Sequence, residues 1–151
     1  MRLLSLFPAF FILTICACNR KYPDCKTWLL KKVDDRLTIV NSTADKITFS
    51  LSYEYPQDTL MLESYVPNES QVAANPGNNV SPASSKKYQI RSCWESTFEN
   101  RIASGKLRIM IFNVDTIKAY TAKEIIIKGL YKSFLYTLDD LKELNWQAVY
   151  P

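Results

Sequence analysis

Residues 46–55 read KITFSLSYEY, and this alternation decides the fold class. In an extended chain Ile47, Phe49, Leu51, Tyr53 and Tyr55 fall on one side and Thr48, Ser50, Ser52 and Glu54 on the other, because successive side chains of a strand point to opposite faces. The pattern predicts a strand with one face in a core and one in water. Upstream, RLTIVN at 36–41 predicts a second strand. The turn formers Asn41-Ser42-Thr43-Ala44-Asp45 between them predict an antiparallel hairpin. Downstream, Pro56-Gln57-Asp58 ends the strand, and residues 59–62 fit a short third one.

Pro67, Pro76 and Pro82 then punctuate a polar stretch, and 75–85 reads as a surface loop, since a residue without a backbone donor has no place in a central strand. Residues 86–91 resume as a strand. Ser92-Cys93-Trp94-Glu95 has the spacing of a capping box and predicts a short helix running toward Asn100. LRIMIF at 107–112 is apolar on both faces apart from Arg108, the mark of a central strand. Thr121-Ala122-Lys123-Glu124 and Thr137-Leu138-Asp139-Asp140 predict two more helix starts. In the last of these helices Leu138, Leu141 and Leu144 share a face that docks on the core, and the helix ends near Asn145. Residues 130–136 and 146–150 read as strands. The expectation is a mainly β chain, an antiparallel sandwich-like single domain over 27–151 with two or three short helices.

The 151 residues include no histidine, three glycines and four cysteines. That composition excludes Ser-His-Asp and Cys-His nucleophiles and any histidine metal site. Two cysteines beyond the N-terminal region make a poor metal set, so no metal is expected. There is no phosphate-binding glycine loop and no dinucleotide fingerprint, so neither nucleotide nor other cofactor is expected. Lys and Arg total 19 against 15 Asp and Glu, but the lysines are scattered and draw no nucleic-acid footprint. Ser84-Ser85-Lys86-Lys87 matches a serine–lysine pattern, yet its companion motifs are missing. Asp34-Asp35 and Asp139-Asp140 are adjacent in sequence and cannot face each other across a scissile bond. No catalytic residue is assigned, and the chain reads as a non-enzyme.

At the N-terminus, Met1-Arg2 precedes an apolar run from Leu3 to Ile15 and then Cys16-Ala17-Cys18. This is the order of a cleaved secretory signal, and the run is too short to span a bilayer. Ile15-Cys16-Ala17-Cys18 resembles the bacterial lipobox, which implies cleavage after residue 17 and acylation of Cys18. Two or three acyl chains at about 0.8 kcal/mol per methylene anchor a protein to membrane lipid. Asn19 after the cysteine, by resemblance to Gram-negative sorting, implies the outer membrane. The layout is then a signal at 1–17, a lipidated cysteine and tether at 18–26, and the folded domain beyond. In an oxidising compartment Cys25 and Cys93 form either a disulfide or two buried thiols.

The ending Thr137–Trp146 with Tyr150-Pro151, together with Tyr53-Glu54-Tyr55-Pro56, resembles small lipoproteins of Bacteroidota, a group without an established activity. The resemblance implies an envelope compartment and a β-rich domain. Asp58-Thr59-Leu60 and Asp115-Thr116-Ile117 resemble the O-glycosylation signal of that phylum, which makes Thr59 and Thr116 candidate acceptors, with a turn Asp and a capping Thr as the alternative. Tyr65, Tyr88 and Trp94 flank the proline-rich stretch and are the candidate ligand contacts. The function expected is a binding or scaffold module for an envelope protein or glycan. An inhibitor presenting residues 75–85 to a hydrolase is the alternative, and a hydrolase using non-adjacent carboxylates a third.

Overall fold

The computed structural model describes residues 26–28 and 31–151; the signal segment, Cys18, Asn19 and Cys25 lie outside them. Nine strands occur there: β1 (Lys26–Trp28), β2 (Lys31–Val33), β3 (Thr38–Asn41), β4 (Ile47–Ser52), β5 (Asn79–Val80), β6 (Ser84–Lys87), β7 (Leu107–Asn113), β8 (Lys132–Tyr136) and β9 (Gln147–Tyr150). Five short α-helices accompany them: α1 (Glu69–Ala74), α2 (Trp94–Asn100), α3 (Val114–Ala119), α4 (Ala122–Ile127) and α5 (Leu138–Glu143). Two 3-10 segments, Gln57–Tyr65 and Pro76–Asn78, complete the set.

The strands form a β1–β2 ribbon, a three-stranded sheet in the order β6-β3-β9 and a four-stranded sheet in the order β5-β4-β7-β8. All pairs are antiparallel except β3 with β9, which run parallel. Helix, at about 36%, exceeds strand, at about 29%, so the domain is mixed α and β rather than mainly β. The extra helices escape sequence periodicity because each is about two turns long or less, shorter than the window over which a 3.6-residue period shows.

The face of β4 expected in water is not wet. Ile47 and Phe49 are buried as expected, but Thr48 and Ser52 on the other face are buried too. Both faces of the four-stranded sheet are covered. Leu107, Ile109 and Ile111 of β7 join Ile39 of β3, Ala148 of β9, Trp94 of α2 and Leu141 of α5 in one core. Met110 and Phe112, the alternate residues of the same strand, join Val66, Val72, Val114, Ile117 and Ile125 in another, under the helical side of the molecule. On one face of the four-stranded sheet the core thus takes in residues of the three-stranded sheet, and on the other it takes in residues of the helical layer.

β3 and β4 do not form a hairpin. They belong to different sheets, and the corner between them is built on Asn41, which is buried. Its amide donates to the carbonyls of Asp45 (2.7 Å) and Ser81 (3.0 Å), and its Oδ1 accepts from the backbone and hydroxyl of Thr43. A turn-forming residue thus carries the chain from one sheet to the other. Residues 59–62 are not a strand but part of the Gln57–Tyr65 3-10 segment, with Leu60 92% exposed. Segment 75–85 is not a free loop, since it holds a 3-10 turn, β5 against β4 and the start of β6. The prolines keep β5 and β6 at sheet edges, as a missing donor requires. The strand expected at 86–91 begins earlier, at Ser84, and stops at Lys87.

Thr121 and Thr137 close reciprocal capping boxes with Glu124 and Asp140, as their spacing predicts. α4 ends at Gly129, whose φ of 64° meets the left-handed backbone needed for the N–H of Leu130 to reach the carbonyl of Ile125. Leu138 and Leu141 of α5 face the core, but Leu144 is 47% exposed. It is the C-cap, and the left-handed residues Asn145 and Trp146 that follow turn the chain and carry the Trp146 indole inward.

Candidate functional site

α2 begins where three chain segments meet. Its N-cap residue is Cys93, not Ser92, and Cys93 provides no side-chain cap. Asp34, 60 residues earlier, supplies the acceptor instead: its Oδ2 takes the backbone N–H of Trp94 at 3.1 Å. The same carboxylate accepts from Arg36 Nη2 at 2.6 Å and Nε at 2.9 Å, and Arg36 reaches on to Glu95 at 2.7 Å. The Arg36 guanidinium lies 4.1 Å over the Trp146 ring. Burial pushes the Asp34 carboxyl up, but the bonds from the Arg36 side chain and from the backbone of Trp94 and Arg36 outweigh it and hold its pKa below the ordinary 3.8.

A group whose folded pKa is depressed contributes stability above its unfolded pKa and loses it as pH falls through the folded value. Asp34→Asn is therefore expected to cost about 1.5–3 kcal/mol near neutral pH, the worth of hydrogen bonds to a charged group. The difference from wild type narrows below pH 3.8, which thermal midpoints of both proteins at a series of pH values will read.

Behind this clasp, Trp94 is fully buried, with ring neighbours Tyr88 (6.4 Å), Phe98 (6.4 Å) and Trp146 (6.3 Å). It is core, not a ligand contact. Tyr88 is half-buried, edge-on to Phe49 at 5.7 Å, and lines a cleft of about 330 Å³ with Tyr53, Arg91, Ser92, Thr97 and Arg101. Tyr53 follows β4, Tyr88 follows β6, and Thr97 and Arg101 come from α2 and its C-cap. Burial first, then the neighbouring Tyr88 hydroxyl, push the Tyr53 phenol up to about 12 against the pull of Arg101, so it stays a hydrogen-bond donor at any physiological pH. The Arg101 guanidinium lies 5.2 Å from the Tyr53 ring centre. Among the described residues neither Arg91 nor Arg101 has a carboxylate within ion-pair distance. The Thr97 hydroxyl, on a residue only 2% exposed, has no hydrogen-bond partner.

The other candidates disperse. Tyr65 sits on the Gln57–Tyr65 segment, where its hydroxyl donates to Glu54 at 3.0 Å, and it does not line the Tyr88 cleft. Thr59 is exposed, and its hydroxyl accepts from Arg108 at 3.0 Å. Thr116 is in the first turn of α3, where its N–H donates to the Asn113 cap at 3.4 Å. Cys93 is fully buried and disulfide-bonded. Asp139 and Asp140 occupy the first turn of α5, and Asp34 is engaged as above. Among the described residues no three metal-ligating side chains converge. A second cleft of about 320 Å³ between α1 and α3 has Lys46, Glu69 and Lys118 at its rim, but Lys118 is already bonded to Asp115 at 2.9 Å.

Of the candidate contacts Tyr65, Tyr88 and Trp94, only Tyr88 lines this cleft, and sequence reading does not single out Tyr53, Arg91, Thr97 or Arg101. Tyr53 reads as a core residue of the β4 alternation, and no spacing joins it to two arginines that lie at either end of a helix 38 or more residues later. Comparison with family models, curated proteins and solved structures finds no match to this chain.

Proposed function

We propose that the chain is a lipid-anchored lipoprotein of the outer membrane whose single domain is a non-enzymatic binding module for an envelope protein or glycan. Lipobox-like residues 15–18 support the anchor, with acylated Cys18 as the membrane contact, and the buried disulfide cysteine at 93 fits an oxidising compartment. The observation that carries the binding reading is the Tyr53–Tyr88 cleft, where two exposed arginines, without a carboxylate partner among the described residues, line a concave space with two tyrosines and Ser92. Carboxylate hydrolysis draws no support from the site, whose ionisable groups are two arginines and two phenols.

Two measurements test it. Cys18→Ala in the full chain is expected to move the protein from the membrane to the soluble fraction of the envelope, read by fractionation and by loss of acyl mass. Crosslinking in intact cells, with recovery of C-terminally tagged protein, is expected to bring down one reproducible partner or glycan. Retention of the alanine variant in the membrane overturns the anchor, and recovery of nothing above background overturns the module.

A further inference from the structure

We infer that the cleft between Tyr53, Tyr88 and α2 is an oxyanion-binding site, built for a carboxylate or phosphate group on the ligand; this rests on the binding reading above and names its chemistry. Three features converge. Arg91 and Arg101 bring two permanent positive charges to the rim, with no carboxylate among the described residues to neutralise them. The planar guanidinium fork matches the paired oxygens of carboxylate and phosphate. Tyr53, Tyr88 and Ser92 line the same space and carry hydroxyls that are neutral donors.

The Thr97 hydroxyl is the second, independent observation. A buried polar atom without a partner costs free energy, and native folds keep few of them. Thr97 lines the cleft, is 2% exposed and has no partner within the protein. The oxygen itself is enclosed, so a ligand oxygen in the cleft completes that hydrogen bond once the Thr97 side chain turns toward it. No acidic side chain lines the cleft to repel such a group. By contrast, Asp34 is paired with Arg36, Asp58 with Arg108 and Asp115 with Lys118.

The test uses the full chain in a neutral polyoxyethylene detergent, titrated separately with sodium glucuronate, inorganic phosphate and glucose, and followed by NMR shifts of the arginine Nε–H groups and of the Ser92 and Thr97 amides. Saturable shifts with glucuronate, phosphate or both, weakening as salt rises, and none with glucose, are expected. Arg91→Ala/Arg101→Ala is expected to weaken binding by at least about tenfold, the worth of a charge-assisted bond. Both arginines are exposed, so this variant keeps the wild-type thermal midpoint. Thr97→Val, nearly isosteric, is expected to weaken binding without loss of fold. Glucuronate alone identifies a carboxylate ligand, phosphate alone a phosphate ligand. Saturation by neither anion, or equal binding by the double-arginine variant, overturns the inference. If crosslinking still recovers the same partner with that variant, the binding-module reading stands while the oxyanion assignment falls.

Discussion

Asp58→Ala is expected to destabilise the protein by about 3–5 kcal/mol, the cost of leaving a buried cation without its counter-ion. Arg108 enters the interior because β7 is central and covered on both faces, so no register places its side chain in water. Its Nε donates to Asp58 Oδ2 at 2.9 Å, with side-chain exposures of 9% and 0%. Nη2 reaches the Thr59 hydroxyl, and the guanidinium carbon lies 5.0 Å from the Tyr55 ring centre. The pair thereby ties the central strand to the start of the Gln57–Tyr65 segment. Thermal or urea unfolding measures the loss, and a fall in Tm on the order of 10–20 °C corresponds to it for a domain of this size. Asp58→Ala/Arg108→Met removes both charges and is expected to recover most of the stability, because the Coulomb gain of a buried pair only offsets its desolvation. A double variant as unstable as the single one would show that Asp58 acts through packing of the segment instead of through its charge.

Trp94→Ala is expected to cost a similar amount, about 3–5 kcal/mol, for a different reason. The indole is fully buried and touches the core from α2 toward both Tyr88 and Trp146, so its removal leaves a cavity that three aromatic rings cannot close without leaving their rotamers. Its Nε1 is buried without a hydrogen-bond partner. Trp94→Phe deletes that unsatisfied donor along with part of the ring, so it is expected to cost distinctly less than alanine. Because Tyr88 rests on Trp94 and lines the cleft, the alanine variant should also weaken anion binding, whereas phenylalanine keeps the support. Chemical denaturation of the two variants, beside the titration described above, separates the packing effect from the binding effect. Equal destabilisation by alanine and phenylalanine would overturn the cavity account.

Much of what local chemistry writes into the chain is present in the molecule, although the Ser92 capping box is not. β4 stands where its alternation places it and β7 where its run apolar on both faces does, and the Thr121 and Thr137 caps start α4 and α5 at the residues their capping boxes specify. These signals are legible because each depends on neighbours within about four residues, the range over which backbone geometry and hydrogen bonding are set by sequence spacing. The short helix α1 also carries such a signal, the Asn68–Gln71 capping box, but it lies in a proline-rich stretch whose composition argues for a loop.

Everything that depended on distant partners was settled elsewhere. Whether Thr48 and Ser52 face water turned on a helical layer drawn from residues 57–74 and 114–127. The cap of α2 came from Asp34, and the corner after β3 from Asn41 reaching Ser81. Arg108 looks like an interruption of an apolar strand until Asp58 is placed beside it. The candidate site is the extreme case, since Tyr53, Tyr88 and Arg101 share no periodicity and meet only when the end of β4, the segment after β6 and the last turn of α2 pack together. The sequence by itself determined β4, β7 and the caps of α4 and α5, because those are set by side-chain patterning and short-range hydrogen bonds. Only the tertiary structure decided which faces were covered and which charges were paired, because burial and desolvation are properties of surfaces that meet across the chain.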